Sequence, residues 1–170
     1  MMSLFPDKKW IRFAKGGQTS KYFKEHIDEI VALDADVYFL AIGCNDIRYR
    51  NKAVCAMDAV TYVDNMAYIC DRVSPSAKVV CISPWMSADF DPFCPLKKED
   101  KKSLYREYSD ALQRYCNERG TLFVDPNPYI WSKIATRGSD FYLKDHIHCN
   151  ASEGIRLFSK AVQISMNSYE

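Results

Sequence analysis

Asp36-Val37-Tyr38-Phe39-Leu40-Ala41-Ile42-Gly43 leads straight into Cys44-Asn45-Asp46. The run is apolar almost throughout, the composition of a parallel strand covered on both faces. It is far too short to span a bilayer. The polar turn that ends it continues as Ile47-Arg48-Tyr49-Arg50-Asn51-Lys52. In open α/β sheets, ligands bind outside the carboxyl ends of such strands.

Working outward from that strand, residues 53–73 predict a helix, with Val60, Val63, Ala67 and Cys70 at helical spacing and Ser74-Pro75-Ser76 as its stop. Residues 78–83 (Lys-Val-Val-Cys-Ile-Ser) predict the next buried strand. On the amino-terminal side, Trp10-Ile11-Arg12-Phe13-Ala14 reads as a short strand and Lys15-Gly16-Gly17-Gln18-Thr19-Ser20 as a turn opening a helix. The glycines permit unusual dihedrals and close backbone approach, and Thr19 or Ser20 can cap the helix. That helix is predicted to run to about Leu33, with Phe23, Ile27, Ile30 and Val31 on one face. A tight strand-to-helix turn would by itself account for the glycine pair.

Residues 84–98 form an irregular loop with Trp85, Met86, Phe90, Phe93 and three prolines. It suits the wall of a substrate pocket or a cap on the core equally well. A long helix is predicted over 99–119, with Leu104, Tyr105, Tyr108, Leu112 and Tyr115 buried, a solvated charged first turn, and Gly120 as terminator. A short strand at 121–125 and a short helix at 126–137 come next, the latter carrying Tyr129, Ile130, Trp131 and Ile134. After the loop Asp145-His146-Ile147-His148 comes a last helix, about 151–167, with Ile155, Phe158, Val162 and Met166 facing inward. Strands alternating with helices predict a three-layer α/β/α sandwich around a central parallel sheet, as one domain over residues 1–170.

The 170 residues suit one sizeable core, and 48% apolar with 26% charged residues is ordinary globular composition. A net charge of +1 leaves no field that would favour nucleic acid or an anionic membrane as partner. The start lacks the apolar stretch of a signal peptide, and seven cysteines without a C-x-x-C pair fit reduced thiols. Both features point to a cytoplasmic protein. With three histidines and no cysteine pair at ligand spacing, no metal site is expected.

Asp145 and His148 carry the clearest chemistry. A carboxylate three residues before a histidine can hold one imidazole nitrogen and fix the tautomer. The other nitrogen is then free to take a proton from a nucleophile. A loop with a helix-capping Asp would give the same two letters.

Three separated stretches together resemble the SGNH hydrolases, also called the GDSL esterase/lipase family. The segment from Ala14 to Ser20 resembles the family's second block, with Gly17 at the position whose backbone N–H serves the oxyanion hole. Gly43-Cys44-Asn45-Asp46 resembles the third, Gly-x-Asn-Asp, with Asn45 as the side-chain oxyanion donor. Asp145-x-x-His148 resembles the fifth, which supplies the acid and base of a Ser-His-Asp triad. The resemblance implies a flavodoxin-like fold and hydrolysis of small acyl or acetyl esters, of carbohydrates or lipids, without metal or organic cofactor. Two oxyanion donors would stabilise the tetrahedral intermediate by several kcal/mol. Asp46 would brace the loop rather than react.

The family's first block, Gly-Asp-Ser, which carries the nucleophile at the end of the first strand, is not in the sequence. Ser3-Leu4-Phe5 resembles the Ser-Leu that often comes after Gly-Asp in the family, but Met1-Met2 stands before it. Ser20 and Ser83 are available without any pattern behind them. A missing first strand would leave a gap of about 10 Å between residues 10–14 and 36–43, from the interstrand spacing. The expectation is that 10–14 pairs directly with 36–43 in a four-stranded sheet, that a second chain (a homo-oligomer) covers the edge, or that the natural chain is longer. Two other classes remain: a non-catalytic SGNH-fold module for binding or oligomerisation, and a flavodoxin-like protein, which the absent phosphate-binding glycine signature disfavours.

Overall fold

The computed structural model describes residues 7–50, 54–85, 98–145 and 147–167. Ser3, Met86, Phe90, Phe93 and His146 lie outside the described residues. In chain order the elements are α1 (Ser20–Glu25), α2 (Ile27–Val31), β1 (Val37–Leu40), β2 (Tyr49–Arg50), β3 (Val54–Cys55), α3 (Ala59–Val73), β4 (Lys78–Ile82), α4 (Lys98–Arg119), β5 (Leu122–Val124), α5 (Asn127–Arg137) and α6 (Glu153–Asn167). The described parallel sheet has the order β1-β4-β5, and β2 and β3 form a separate antiparallel hairpin. Val37 pairs with Lys78 and Leu40 with Cys81; Val80 pairs with Leu122 and Ile82 with Val124.

Alternation along each strand separates the two faces of the sheet. Tyr38, Leu40, Val79, Cys81 and Phe123 point into one core with Phe23 and Ile30 from α1 and α2, Met66 and Ile69 from α3, and Tyr108 and Leu112 from α4. Val80, Ile82 and Val124 point the other way, onto Val162 of α6, with Phe39, Leu122, Phe158 and Met166 packed alongside. A third cluster joins α5 to α6 through Ile130, Ile134, Leu157 and Ala161, with Tyr142 and Leu143 of the intervening loop. The fold is therefore α/β, with helical layers on both faces of the sheet.

Residues 10–14 correct the expected strand. They make no ladder with β1, and the described sheet has three strands rather than four. The segment docks through side chains instead: Trp10 stacks on Phe39 at 5.8 Å, and Phe13 packs against the first core. The expected single helix at 20–33 is two. Its break is at His26, whose ring stacks on Tyr22 and whose Nδ1 lies 2.8 Å from the Tyr22 carbonyl oxygen. That side-chain bond competes for a carbonyl belonging to the helix ladder.

The helix expected from residue 53 begins at Ala59, where the Asp58 carboxylate caps it by accepting from the Thr61 N–H at 2.8 Å. Its inward stripe is Ala59, Tyr62, Met66, Ile69 and Val73; Val60 is 73% exposed. Ile155 in α6 also faces solvent, and Leu157 and Ala161 take the core positions. Lys101 in the charged first turn of α4 is buried, contrary to a wholly solvated turn. For α3 and α6 the apolar pattern located the helix, with the start of α3 six residues late, and misplaced its inward face at Val60 and Ile155.

Candidate active site

All four candidate residues lie on three turns. The turn after β1 is fixed first. Gly43 has φ +125°, and a Cβ there would meet Pro84 Cγ at 2.6 Å and the Tyr62 ring at 2.8 Å, so only glycine fits. Tyr62 donates to the Ile42 carbonyl at 3.0 Å, tying this strand end to α3. The Asn45 amide then reaches across to the preceding turn: Nδ2 donates to the Gln18 carbonyl at 2.9 Å, beside Gly17. Arg48 donates to Asn45 Oδ1 at 3.2 Å, which sets the orientation of the amide. A carboxamide has two N–H donors, and Gln18 takes one of them. Gly17 itself has φ +75° and is exposed.

Asp46 explains why these two turns stay together. It is fully buried, and both of its carboxylate oxygens accept from the Ser20 N–H at 3.0 Å, while the Ser20 hydroxyl donates to Oδ1. Thr19, the N-cap residue of α1, makes no side-chain capping bond. The cap of α1 therefore comes from a residue 26 positions away. Asn65 on α3 completes the cluster by donating to Ser20 Oγ at 3.0 Å and to Met57 Sδ at 3.1 Å. The loop beyond Asp46 is closed at its neck by Ala56 N–H to Arg48 carbonyl, 2.9 Å, and Met57 N–H to Asp46 carbonyl, 3.0 Å.

Asp145 and His148 meet directly. Asp145 Oδ2 lies 2.8 Å from His148 Nδ1, while Oδ1 accepts from the His148 N–H at 2.7 Å and the Ile147 N–H at 3.2 Å. These bonds, the His148 backbone N–H foremost, lower the Asp145 pKa to about 2. The loop is clamped at its base by the Leu143–Cys149 bridge and by the Lys144 N–H donating to the His148 carbonyl at 3.0 Å. Asn150 braces it from behind: Nδ2 donates to the Phe141 carbonyl, and Oδ1 accepts from the Gly154 N–H at 2.8 Å in the first turn of α6. The side chains of His148 and Asp145 are 60% and 48% exposed.

Cys44, beside Asn45, and Cys149, beside His148, bring the two halves near each other. Burial pushes the Cys149 thiol up to about 11, and nearby Cys44 adds to the rise. Cys44 also donates to the Trp85 carbonyl, joining the post-β1 turn to the loop after β4, and Trp85 packs edge-on against Phe158. Ser20 and Ser83 are both engaged elsewhere. Ser20 is buried on Asp46, and Ser83 donates to Asp125 at 2.7 Å and accepts from Asn127 at 3.1 Å. Among the described residues, no group of three His, Cys, Asp or Glu side chains is arranged to hold a metal ion. Sequence reasoning missed Arg48, Asn65 and Asn150. The signals were there: a lone Asn on the buried stripe of α3, and Asn150-x-x-Glu153 before an apolar run, which is a helix-start pattern.

An α/β sandwich with an Asp-His pair and an Asn-bearing turn at the carboxyl end of a buried strand defines a hydrolase-type scaffold. The chain belongs to the GDSL-like lipase/acylhydrolase family, whose sequence profile matches residues 3–152. Solved structures agree on the fold. An α/β hydrolase from the metagenome of Lake Arreo, Spain, superposes with a TM-score of 0.77 at 16% identity, covering 99% of this chain and 78% of that one. A lipolytic G-D-S-L family protein from Veillonella parvula gives 0.73 at 15% identity, covering 98% and 84%. An acetyl-xylooligosaccharide esterase from Geobacillus gives 0.72 at 16% identity, covering 88% and 68%. Catalytic mutants of the Geobacillus stearothermophilus acetylxylan esterase replace a serine, an aspartate and a histidine, the last two three positions apart. No curated protein sequence matches the chain.

Proposed function

We propose that this domain hydrolyses small acyl or acetyl esters by a serine-esterase mechanism, with His148 as general base and then acid. The carrying observation is the Asp145–His148 contact of 2.8 Å, in a loop whose carboxylate is also held by two backbone N–H groups. Asp145 would hold Nδ1 protonated, leaving Nε2 to draw the proton from a serine hydroxyl and return it to the leaving alcohol. Gly17 and Asn45 would donate to the oxyanion; the link from Asn45 to the Gln18 carbonyl keeps both donors on one rigid unit. The hydroxyls of Ser20 and Ser83 serve Asp46 and Asp125, which argues against either as the nucleophile. Ser3 is the remaining candidate named from the sequence. An acetyl ester on a carbohydrate is the substrate class favoured by likeness to the acetyl-xylooligosaccharide esterase.

A fluorophosphonate probe followed by peptide mapping names the nucleophile, and hydrolysis of p-nitrophenyl acetate tests the dyad. His148→Ala is expected to lower kcat by about 10⁶-fold, the loss typical for the histidine of a serine-hydrolase triad. Hydrolysis unchanged by that substitution would remove His148 from the mechanism. A folded protein that neither labels nor turns over would favour the second reading, a binding module on a hydrolase scaffold. The exposure of the dyad is the observation in that reading's favour.

A further inference from the structure

Three cysteines meet inside the first core, away from the candidate site. Cys70 on α3, Cys81 on β4 and Cys116 on α4 are each at most 1% exposed. The sulfurs of Cys70 and Cys81 are 3.6 Å apart. We propose that Cys70 and Cys81 are a dithiol that a hydroperoxide converts to an intrachain disulfide, joining the last turn of α3 to the central strand of the sheet.

The geometry requires little movement. A disulfide bond is about 2.05 Å long, so the sulfurs must close by roughly 1.5 Å. Cys70 lies in the last turn of α3, which ends at Val73, and helix ends open more readily than strand centres. It also has the more acidic thiol: the hydrogen bond from Cys81 lowers its pKa, burial opposes this, and a bond with Tyr115 assists. Cys81 is pushed the other way by its bonds to Cys116 and Cys70 and by burial, so it keeps its proton. The thiolate is the nucleophile in such chemistry, which assigns the first step to Cys70.

With hydrogen peroxide the steps balance. The Cys70 sulfur attacks one peroxide oxygen, the O–O bond breaks, and the departing hydroxide takes up the Cys70 thiol proton to leave as water. Cys70 is now a sulfenic acid. The Cys81 sulfur attacks the Cys70 sulfur, the S–O bond breaks, and the leaving hydroxide takes the Cys81 proton as a second water. Two thiols have lost two electrons to the peroxide, and one S–S bond has formed.

The test is peroxide treatment of the full chain, alkylation of remaining thiols under denaturing conditions, and peptide mapping. The expected product has two fewer alkylated cysteines than the seven of the untreated chain, with peptides containing Cys70 and Cys81 joined. Cys116→Ala should form the same bridge, and Cys70→Ser should not. The bridged protein should unfold at higher urea, because the link closes the short loop between positions 70 and 81 in the unfolded chain. A Cys81–Cys116 bridge, a sulfinic acid at Cys70 without a bridge, or seven free thiols after treatment would each overturn the proposal. Mapping of the wild-type chain decides this even if a variant fails to fold.

Discussion

Asp46 and Asp145 show how differently two carboxylates can be used within one molecule. Asp46 is buried without solvent contact and holds the backbone and hydroxyl of Ser20. Removing it takes away the acceptor of the buried Ser20 N–H and hydroxyl. Hydrogen bonds to charged groups contribute about 1.5–3 kcal/mol each and unsatisfied buried donors cost a similar amount. Asp46→Ala is therefore expected to cost about 3 kcal/mol, seen as a fall of about 1.5 M in the urea midpoint at an m-value of about 2 kcal/mol/M. Asp145 is exposed, and its pKa is depressed from 3.8 to about 2. A depressed folded pKa means the carboxylate's favourable contribution is fully present above 3.8 and is lost as pH falls through about 2. Carboxyl NMR should show Asp145 ionised at about pH 3, between those two values. In His148→Ala the value should return only part of the way, because the largest cause is the backbone N–H of residue 148, which alanine keeps. A full return to 3.8 would mean the imidazole alone sets it.

At the scale of elements, the turn after β1 is the most constrained piece. Gly43→Ala combines a left-handed φ with a Cβ 2.6 Å from Pro84, and it should cost about 2–4 kcal/mol by the same urea measurement. A loss below about 0.5 kcal/mol, the range of ordinary surface substitutions, would show that the strand end can relax. This turn was also the most legible part of the sequence, since a buried apolar run ending in Gly-x-Asn-Asp leaves few alternatives. The Asp145–His148 pairing was legible for a similar reason: both residues sit within one short loop, and local spacing decides whether they meet. What local spacing could not decide was pairing between distant segments. Trp10 to Ala14 has strand composition, yet strand structure is a property of a pair, and in the described residues this segment contributes rings rather than a ladder. The rotations of α3 and α6 were misjudged at Val60 and Ile155 because a β-branched residue beside a core position counts equally in a periodicity sum. Only packing against the sheet separates them. The break at His26 depended on a side chain turning back on its own helix, which no apolar pattern records.

Across the whole molecule, the two oxyanion candidates are held by contacts that bridge residues 17–20, 43–48 and 65, while the Asp145–His148 pair is held inside residues 141–154. One half of the site is thus assembled from long-range contacts and the other from local ones. The borrowed cap of α1 gives this a consequence in time. A six-residue helix is below the length at which a helix is stable alone, and its capping carboxylate comes from the turn after β1, 26 positions further along the chain. The Gly17 turn should therefore be among the last parts of the chain to become ordered, whereas the Asp145–His148 loop can preform. Hydrogen exchange reads this directly: the Ser20 amide should exchange only through opening of the β1 end, and in Asp46→Ala its protection should vanish while that of Cys81 in β4 persists. Protection of Ser20 surviving that substitution would mean α1 nucleates independently. If it vanishes as expected, α1 owes its order to Asp46, and the Asp145–His148 loop can be in place before the turns that present Gly17 and Asn45.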